Sequence, residues 1–202
     1  MKRITIVGAG LAGLSAAVAL AENEIPCDLV SLQPSERAQS VLAEGGINAA
    51  LDTMGEHDTV EEHYNDTMKG GCFLADPNAV KALTKNAPET VMWLSSLGVP
   101  FNMKDGHLIQ RNFGGQKKKR TAFAKSSTGK MIMTSLIDEA RKYEAQGLIK
   151  RCPHHELIRL IIENGRCVGA RVRDSYTSLC ADMRGAVLLA CGGMNGIFPG
   201  MT

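Results

Sequence analysis

Residues 4–13 read Ile-Thr-Ile-Val-Gly-Ala-Gly-Leu-Ala-Gly, and this segment restricts the fold more than any other in the chain. The β-branched run over residues 3–7 predicts a short buried strand, and the glycines that follow predict an immediate turn. Residues 11–23 are rich in Ala and Leu and predict a helix, which Pro26 cannot continue. Residues 27–32 predict a second strand, closed by Pro34. Strand, glycine turn, helix and strand within about thirty residues make a parallel unit of nucleotide-binding size.

Each glycine of Gly8-Ala9-Gly10-Leu11-Ala12-Gly13 has a physical task in such a unit. Gly8 allows the tight turn, Gly10 lets the backbone approach a pyrophosphate, and Gly13 lets the helix lie close to the strand. The phosphates then sit at the helix N-terminus, where free N–H groups and the helix dipole favour anions. The same stretch, with Met1-Lys2-Arg3 before it and Ala19-Leu20-Ala21 near its end, also has the outline of a secretory leader. Three fixed glycines weaken an apolar leader helix, whereas nucleotide binding requires them, so the second reading is preferred. The motif alone does not name the dinucleotide. The acid that commonly bonds a ribose at the end of the second strand is missing from Ser31-Leu32-Gln33: Asp28 comes too early and Glu36 lies beyond Pro34.

Farther along, residues 35–55 show no clear period. Helix is predicted over 57–68, again from Pro77 through Leu83 with Asp76 as its cap, and over 89–97 with Gly98 as its stop. Residues 99–116 read as loop and turn, and 128–143 as a long helix. Strands are predicted over 148–151, 156–163, 166–174 and 177–184, with Asn164-Gly165 as a hairpin turn. The apolar run 186–190 predicts a central buried strand. The fold class is therefore α/β, Rossmann-like: a parallel sheet, an inserted helical region and a β-hairpin or meander.

A net charge of +2 and 4% aromatic residues give no basis for a nucleic-acid partner. Lys117-Lys118-Lys119-Arg120 reads as a solvated loop, with Arg120 as a second choice for facing an anion. His57 and His63, six residues apart among acids, cannot share one helical face, so an acidic solvated face is expected rather than a metal site. His154-His155 reads as a strand entry. The six cysteines include no C-x-x-C pair, and Cys167, Cys180 and Cys191 lie in apolar runs, so buried free thiols are expected.

Several segments, in order along the chain, resemble the flavoprotein family of fumarate reductase, succinate dehydrogenase and L-aspartate oxidase. They are residues 40–50 (Ser-Val-Leu-Ala-Glu-Gly-Gly-Ile-Asn-Ala-Ala), Asp66-Thr67-Met68-Lys69-Gly70-Gly71, Phe113-Gly114-Gly115 through Arg120-Thr121, Thr128-Gly129, and Ala190-Cys191-Gly192-Gly193. The resemblance implies FAD as cofactor. Beside the motif glycine Gly8, the residues Gly10, Leu11, Ala12, Gly13 and Leu14 would face the pyrophosphate; Ser31, Leu32 and Gln33 would flank the adenosine ribose; and Glu156 and Leu157 would reach adenine through their backbones. Gln39, Ser40, Ala43, Glu44, Gly45, Gly46 and Ile47 would pass the flavin, and Ala190 and Gly192 would close over the dinucleotide. Phe113 and Gly46 are the expected neighbours of the substrate. Many respiratory members carry, at the position of Gln39, a histidine bonded to the flavin; glutamine cannot form that bond, which implies non-covalent FAD and tilts the reading toward fumarate reduction or an oxidase. The resemblance also implies a small dicarboxylate substrate, an iron–sulfur partner subunit, a cytoplasmic site with no membrane insertion of its own, and a chain (1–202) that ends before the family's capping domain and catalytic residues. No catalytic residue is assigned here.

Overall fold

The computed structural model describes residues 3–193. In chain order the first elements are β1 (Ile4–Val7), α1 (Leu11–Glu22), β2 (Cys27–Ser31) and β3 (Ile47–Asn48), with 3-10 turns at Ser35–Arg37 and Gln39–Leu42. Then come α2 (Val60–Gly70), α3 (Pro77–Ser96), β4 (Met103–Lys104), β5 (His107–Leu108), β6 (Gln110–Arg111), β7 (Thr121–Ala122) and α4 (Thr128–Ala145). The last are β8 (Ile149–Pro153), β9 (His155–Glu163), β10 (Arg166–Asp174), β11 (Cys180–Arg184) and β12 (Val187–Leu189). The chain forms two compact units, one of Met1–Ser40 with Leu136–Thr202 and the other of Val41–Ser135.

The first unit holds a parallel sheet of order β12-β1-β2-β8. Ile4 pairs with Cys27, and Cys27 with Ile149, which aligns the C-terminal ends of the strands. Helix α1 packs on β1, β2 and β8. Its Leu14, Ala17, Val18 and Ala21 recur at helical spacing and are buried, with Leu29 and Val30 buried on β2. Each such Leu or Val contributes about 1.5–3 kcal/mol against exposure. An antiparallel sheet of order β11-β10-β9 completes the unit. Its hairpin turns at Asn164 and Gly165, both at positive φ (49° and 74°), as a two-residue turn of matching twist requires.

The second unit packs α2 on α3. The Thr59 side chain caps α2 by accepting the Glu62 N–H, and Asp76 caps α3 by accepting that of Asn78 at 2.8 Å. Val80, Thr84, Ala87, Val91 and Leu94 form one buried stripe along α3. That continuous stripe explains why the segments expected at 77–83 and 89–97 are a single helix running through Pro88. A small sheet of order β3-β7-β6 and the β4-β5 hairpin occupy a stretch of which 99–116 was expected to be loop.

Other expectations need correcting. Helix α2 starts at Val60 because His57 adopts φ 58° and Thr59 is extended as its cap. Strand β12 is the edge of the parallel sheet among the described residues, not a central strand, and Leu188 and Leu189 are 37% and 55% exposed. An apolar run signals a strand but does not distinguish centre from edge. Of the cysteines only Cys27 is buried, with its thiol pushed up to about 11 by burial. Cys72, Cys167, Cys180 and Cys191 are exposed and Cys152 is half-buried. Cys167 and Cys180 lie on strands of which one face is open, so apolar neighbours in sequence do not cover them.

Candidate functional site

In the first unit the glycine turn follows β1 directly. Gly8 has φ +111°, and its N–H donates to the Val30 carbonyl at 2.8 Å. A Cβ on Gly8 would lie 2.1 Å from the Ala190 carbonyl oxygen, and one on Gly13 would lie 1.7 Å from the Gly8 carbonyl oxygen. These two glycines are therefore demanded by the fold. Gly10 differs. Its backbone is ordinary (φ −82°, ψ −164°), and the nearest atom to an added Cβ is Ser40 Oγ at 3.4 Å, an ordinary contact. Neither strain nor packing explains a glycine here, whereas room for a group approaching the backbone does.

Gly10 also offers no side chain to cap α1, and the first turn contains no acid. Leu11 N–H donates to Ser40 Oγ at 3.2 Å. The Ala12 and Gly13 amides take no acceptor among the described residues, so the N-terminus retains free donors suited to an anion. Ala190 N–H donates to the Val7 carbonyl at 2.7 Å, which keeps Ala190 beside the turn.

At the same end of the sheet a cavity of about 320 Å³ is lined by Ala9, Ser31, Pro34, Glu36, Glu144 and Arg151, among others. Ser31 Oγ donates to the Gln33 carbonyl at 2.7 Å and turns the chain there, and Leu32 beside it is exposed. Glu36, set aside in the sequence as lying beyond Pro34, reaches this cavity because the Ser35–Arg37 turn folds back, and Arg141 holds its carboxylate at 3.1 Å. Arg151 binds Glu144 at 2.8 Å. Neither Glu144 nor Arg151 carried a sequence signal, since they meet only through the packing of α4 and β8. Glu156 and Leu157 begin β9, which packs by β2. Gly192 is exposed at φ +82°, and no atom of the described residues lies within 4 Å of an added Cβ.

The second unit has its own arrangement around residues 43–47. Gly46 has φ +124°, and a Cβ there would lie 2.4 Å from Thr121 Cγ2. A Cβ on Gly45 would meet Phe113 Cζ at 2.9 Å, so Phe113 lies on that glycine while staying 53% exposed. Arg111 donates to the Gly45 carbonyl at 2.8 Å and stacks over the Phe123 ring at 4.3 Å. Gly129 N–H donates to the Ala43 carbonyl at 2.7 Å, and Ile47 pairs with Ala122. The segment is thus fixed from several sides, with Ala43, Glu44 and Gly46 open to solvent. Arg111 went unnoticed in the sequence because the Gly45 carbonyl and the Phe123 ring that it meets lie well away from it along the chain. Gln39 is exposed at the start of its 3-10 turn, in the first unit.

The basic tetrapeptide and His63 also need correction. Arg120 is 1% exposed and binds Asp58 at 2.7 Å and Asp66 at 3.2 Å. Lys118 donates to the Glu56 carbonyl and Lys119 pairs with the Glu56 carboxylate. His63 is buried, not solvated. Burial pushes its imidazole below the usual 6.5, Arg120 pushes the same way, and Asp66 opposes them. Burial also pushes the Asp58 carboxyl up, against the pull of Arg120. For His63 the folded pKa lies under the unfolded one, so the unfolded chain binds more protons just below 6.5 and stability falls with pH there. The urea midpoint should therefore drop between about pH 7.5 and about pH 5.5 more steeply in the parent than in His63→Gln. Equal slopes would remove His63 as the source.

The family described as "FAD binding domain" matches residues 3–201. The succinate dehydrogenase flavoprotein subunit of Bacillus subtilis (strain 168) is 38% identical over 202 residues, covering 98% of this chain and 34% of that protein. The 8-methylmenaquinol:fumarate reductase flavoprotein subunit of Wolinella succinogenes is 35% identical over 203 residues, covering 98% and 32%. Among solved structures, Mycobacterium smegmatis Sdh1 in complex with UQ1 superposes with a TM-score of 0.90 at 29% identity, covering 96% of this chain and 34% of that one. The chain spans about a third of the length of the curated relatives it matches.

Proposed function

The chain belongs to the FAD binding domain family, so its cofactor is FAD, and from that premise we propose that it is the FAD-holding part of an oxidoreductase acting on a small dicarboxylate. The observation that carries the reading is Gly10, a glycine required by neither conformation nor packing, set before a helix N-terminus with free amides. Gly10, Leu11, Ala12, Gly13 and Leu14 would hold the pyrophosphate beside the Gly8 turn, and Ser40 would steady the first turn of α1. Ser31, Leu32 and Gln33 would flank the ribose with Glu36 nearby, Glu156 and Leu157 would offer backbone to adenine, and Ala190 and Gly192 would close over the dinucleotide.

Gln39 and residues 43–47 would border the flavin, with Phe113 toward the substrate. When bound, FAD supplies the hydride-transfer chemistry. The protein's part is to place the ring against rigid backbone, which the fixed Gly45–Gly46 turn suits. The names of the relatives support succinate oxidation or fumarate reduction as the reaction, electron transfer to or from a partner subunit, and a dicarboxylate as substrate. No described helix is long and apolar enough to cross a membrane. A cytoplasmic location, with attachment to a membrane through a partner subunit, belongs to this proposal and is supported by the names of the relatives. Gln39 has no imidazole to offer, so the FAD is non-covalent in this reading.

Titration of the chain with FAD and with NAD tests both points. FAD should bind in preference, and Gly10→Val should keep the circular dichroism of the parent while weakening FAD at least about tenfold, close to 1.4 kcal/mol. Heating should release the yellow colour into the supernatant. Unchanged FAD affinity in Gly10→Val overturns the pyrophosphate assignment, and colour left in the precipitate overturns the non-covalent one.

A further inference from the structure

The buried cluster around Arg120 is incomplete by its own chemistry. Asp58 Oδ2, Glu62 Oε2, His63 Nδ1, Arg120 Nε and Arg120 Nη1 are all buried with no partner among the described residues, whereas Asp66 Oδ2 is held by Arg120 Nη2 at 3.2 Å. Buried polar atoms nearly always have partners, and orphaned donors and acceptors gathered in one cluster call for a group between them. Of the guanidinium's five N–H donors, only those on Nη2 are engaged, toward Asp58 and Asp66. Donors and acceptors are thus left over together, on side chains from α2, from the segment before it and from the residue before β7.

The missing partner must both donate and accept. An anion would face three carboxylates, and a cation would face the guanidinium. Water meets both demands, and the site is polar with more than enough groups to hold it. We propose that the Arg120 cluster encloses an ordered water site that links Arg120 Nε or Nη1 to the free oxygens of Asp58 or Glu62 and to His63 Nδ1. The water completes a node that ties the first turn of α2 to β7. The Arg120 carbonyl accepts from Ala49 N–H at 2.9 Å and from Gln110 Nε2 at 2.7 Å, and the Thr121 hydroxyl donates to Asn48 at 2.7 Å. The node therefore fixes the strand pair next to Gly46, whether or not a flavin is bound.

A crystal structure of the FAD-free chain, at a resolution that shows ordered solvent, decides the matter independently of the flavin reading. The expected result is density for at least one enclosed water within hydrogen-bond distance of Arg120 Nε or Nη1 and of a carboxylate. Side chains turned so that they pair directly, with no solvent density between them, would overturn the proposal, as would a metal ion in that place. Oxygen-17 relaxation dispersion gives a second reading in solution: a long-lived internal water supports the site, and no such water in the folded parent contradicts it.

Discussion

Gly13→Ala should cost the first unit more than about 3 kcal/mol, although it adds a single methyl group to a helix. On an open helix this exchange stabilises by up to about 1 kcal/mol, because glycine carries the larger entropy cost. Here the added Cβ would lie 1.7 Å from the Gly8 carbonyl oxygen and 2.9 Å from its carbon. Both are backbone atoms of a turn that cannot move freely, since Gly8 is itself pressed by the Ala190 carbonyl. Either α1 must lift off β1 or the turn must open. Gly70→Ala is the control: it ends α2 with nothing within 4 Å of the new methyl group and should be neutral or mildly stabilising. Urea unfolding of the two variants beside the parent gives the comparison. If Gly13→Ala unfolds at the parent midpoint, the close helix–strand contact is wrong.

Arg120→Met should lower the thermal midpoint of the second unit by more than about 10 °C, from a loss of about 3–5 kcal/mol. Methionine fills much of the space but leaves the buried carboxylates of Asp58 and Asp66 without their cation. The desolvation that already pushes Asp58 up would then act without the opposing charge. A carboxyl raised in the folded state favours folding at low pH and loses that contribution as pH rises through the window above its ordinary 3.8. The deficit of Arg120→Met relative to the parent should therefore shrink as the solution is acidified. Lys117→Met, on an exposed side chain of the same tetrapeptide, should stay within about 0.5 kcal/mol of the parent. Equal effects of the two substitutions would show that Arg120 is no more than a surface charge.

The parts of the fold that sequence makes legible are those with local causes. The Asp76 cap and the Asn164-Gly165 hairpin depend on neighbours only a few residues away, and each appears where local chemistry puts it. Helix α3 escaped because Pro88 argues locally for a break, while its buried stripe, visible only once α2 packs on it, argues for continuity. Strand β12 was legible as a strand but not as an edge, because the strand order is a long-range property. The site divides in the same way. The glycine motif announces itself, whereas Glu36, Arg111 and Arg151 owe their positions to partners between 7 and 105 residues away, or to a turn of the backbone, and leave no pattern in the sequence. Arg120 was hidden by company: three lysines beside it suggested solvent, and only the fold separates the one buried charge from its neighbours.

The two-part composition of the first unit has a bearing on how the chain is made. Strands β1 and β2 leave the ribosome early, yet their sheet neighbours β12 and β8 are encoded after the whole of Val41–Ser135. At about 5–20 residues per second, the interval between the end of β2 and the arrival of β12 is roughly 8–30 s. Throughout it the nascent chain carries a βαβ unit with two unpaired parallel edges, the arrangement most open to wrong strand addition. The unit Val41–Ser135 is compact in its own right and is synthesised during that wait. The parallel sheet can close on β1 and β2 only once that whole stretch has been made, so the order of synthesis sets the order in which the nucleotide-binding sheet is assembled.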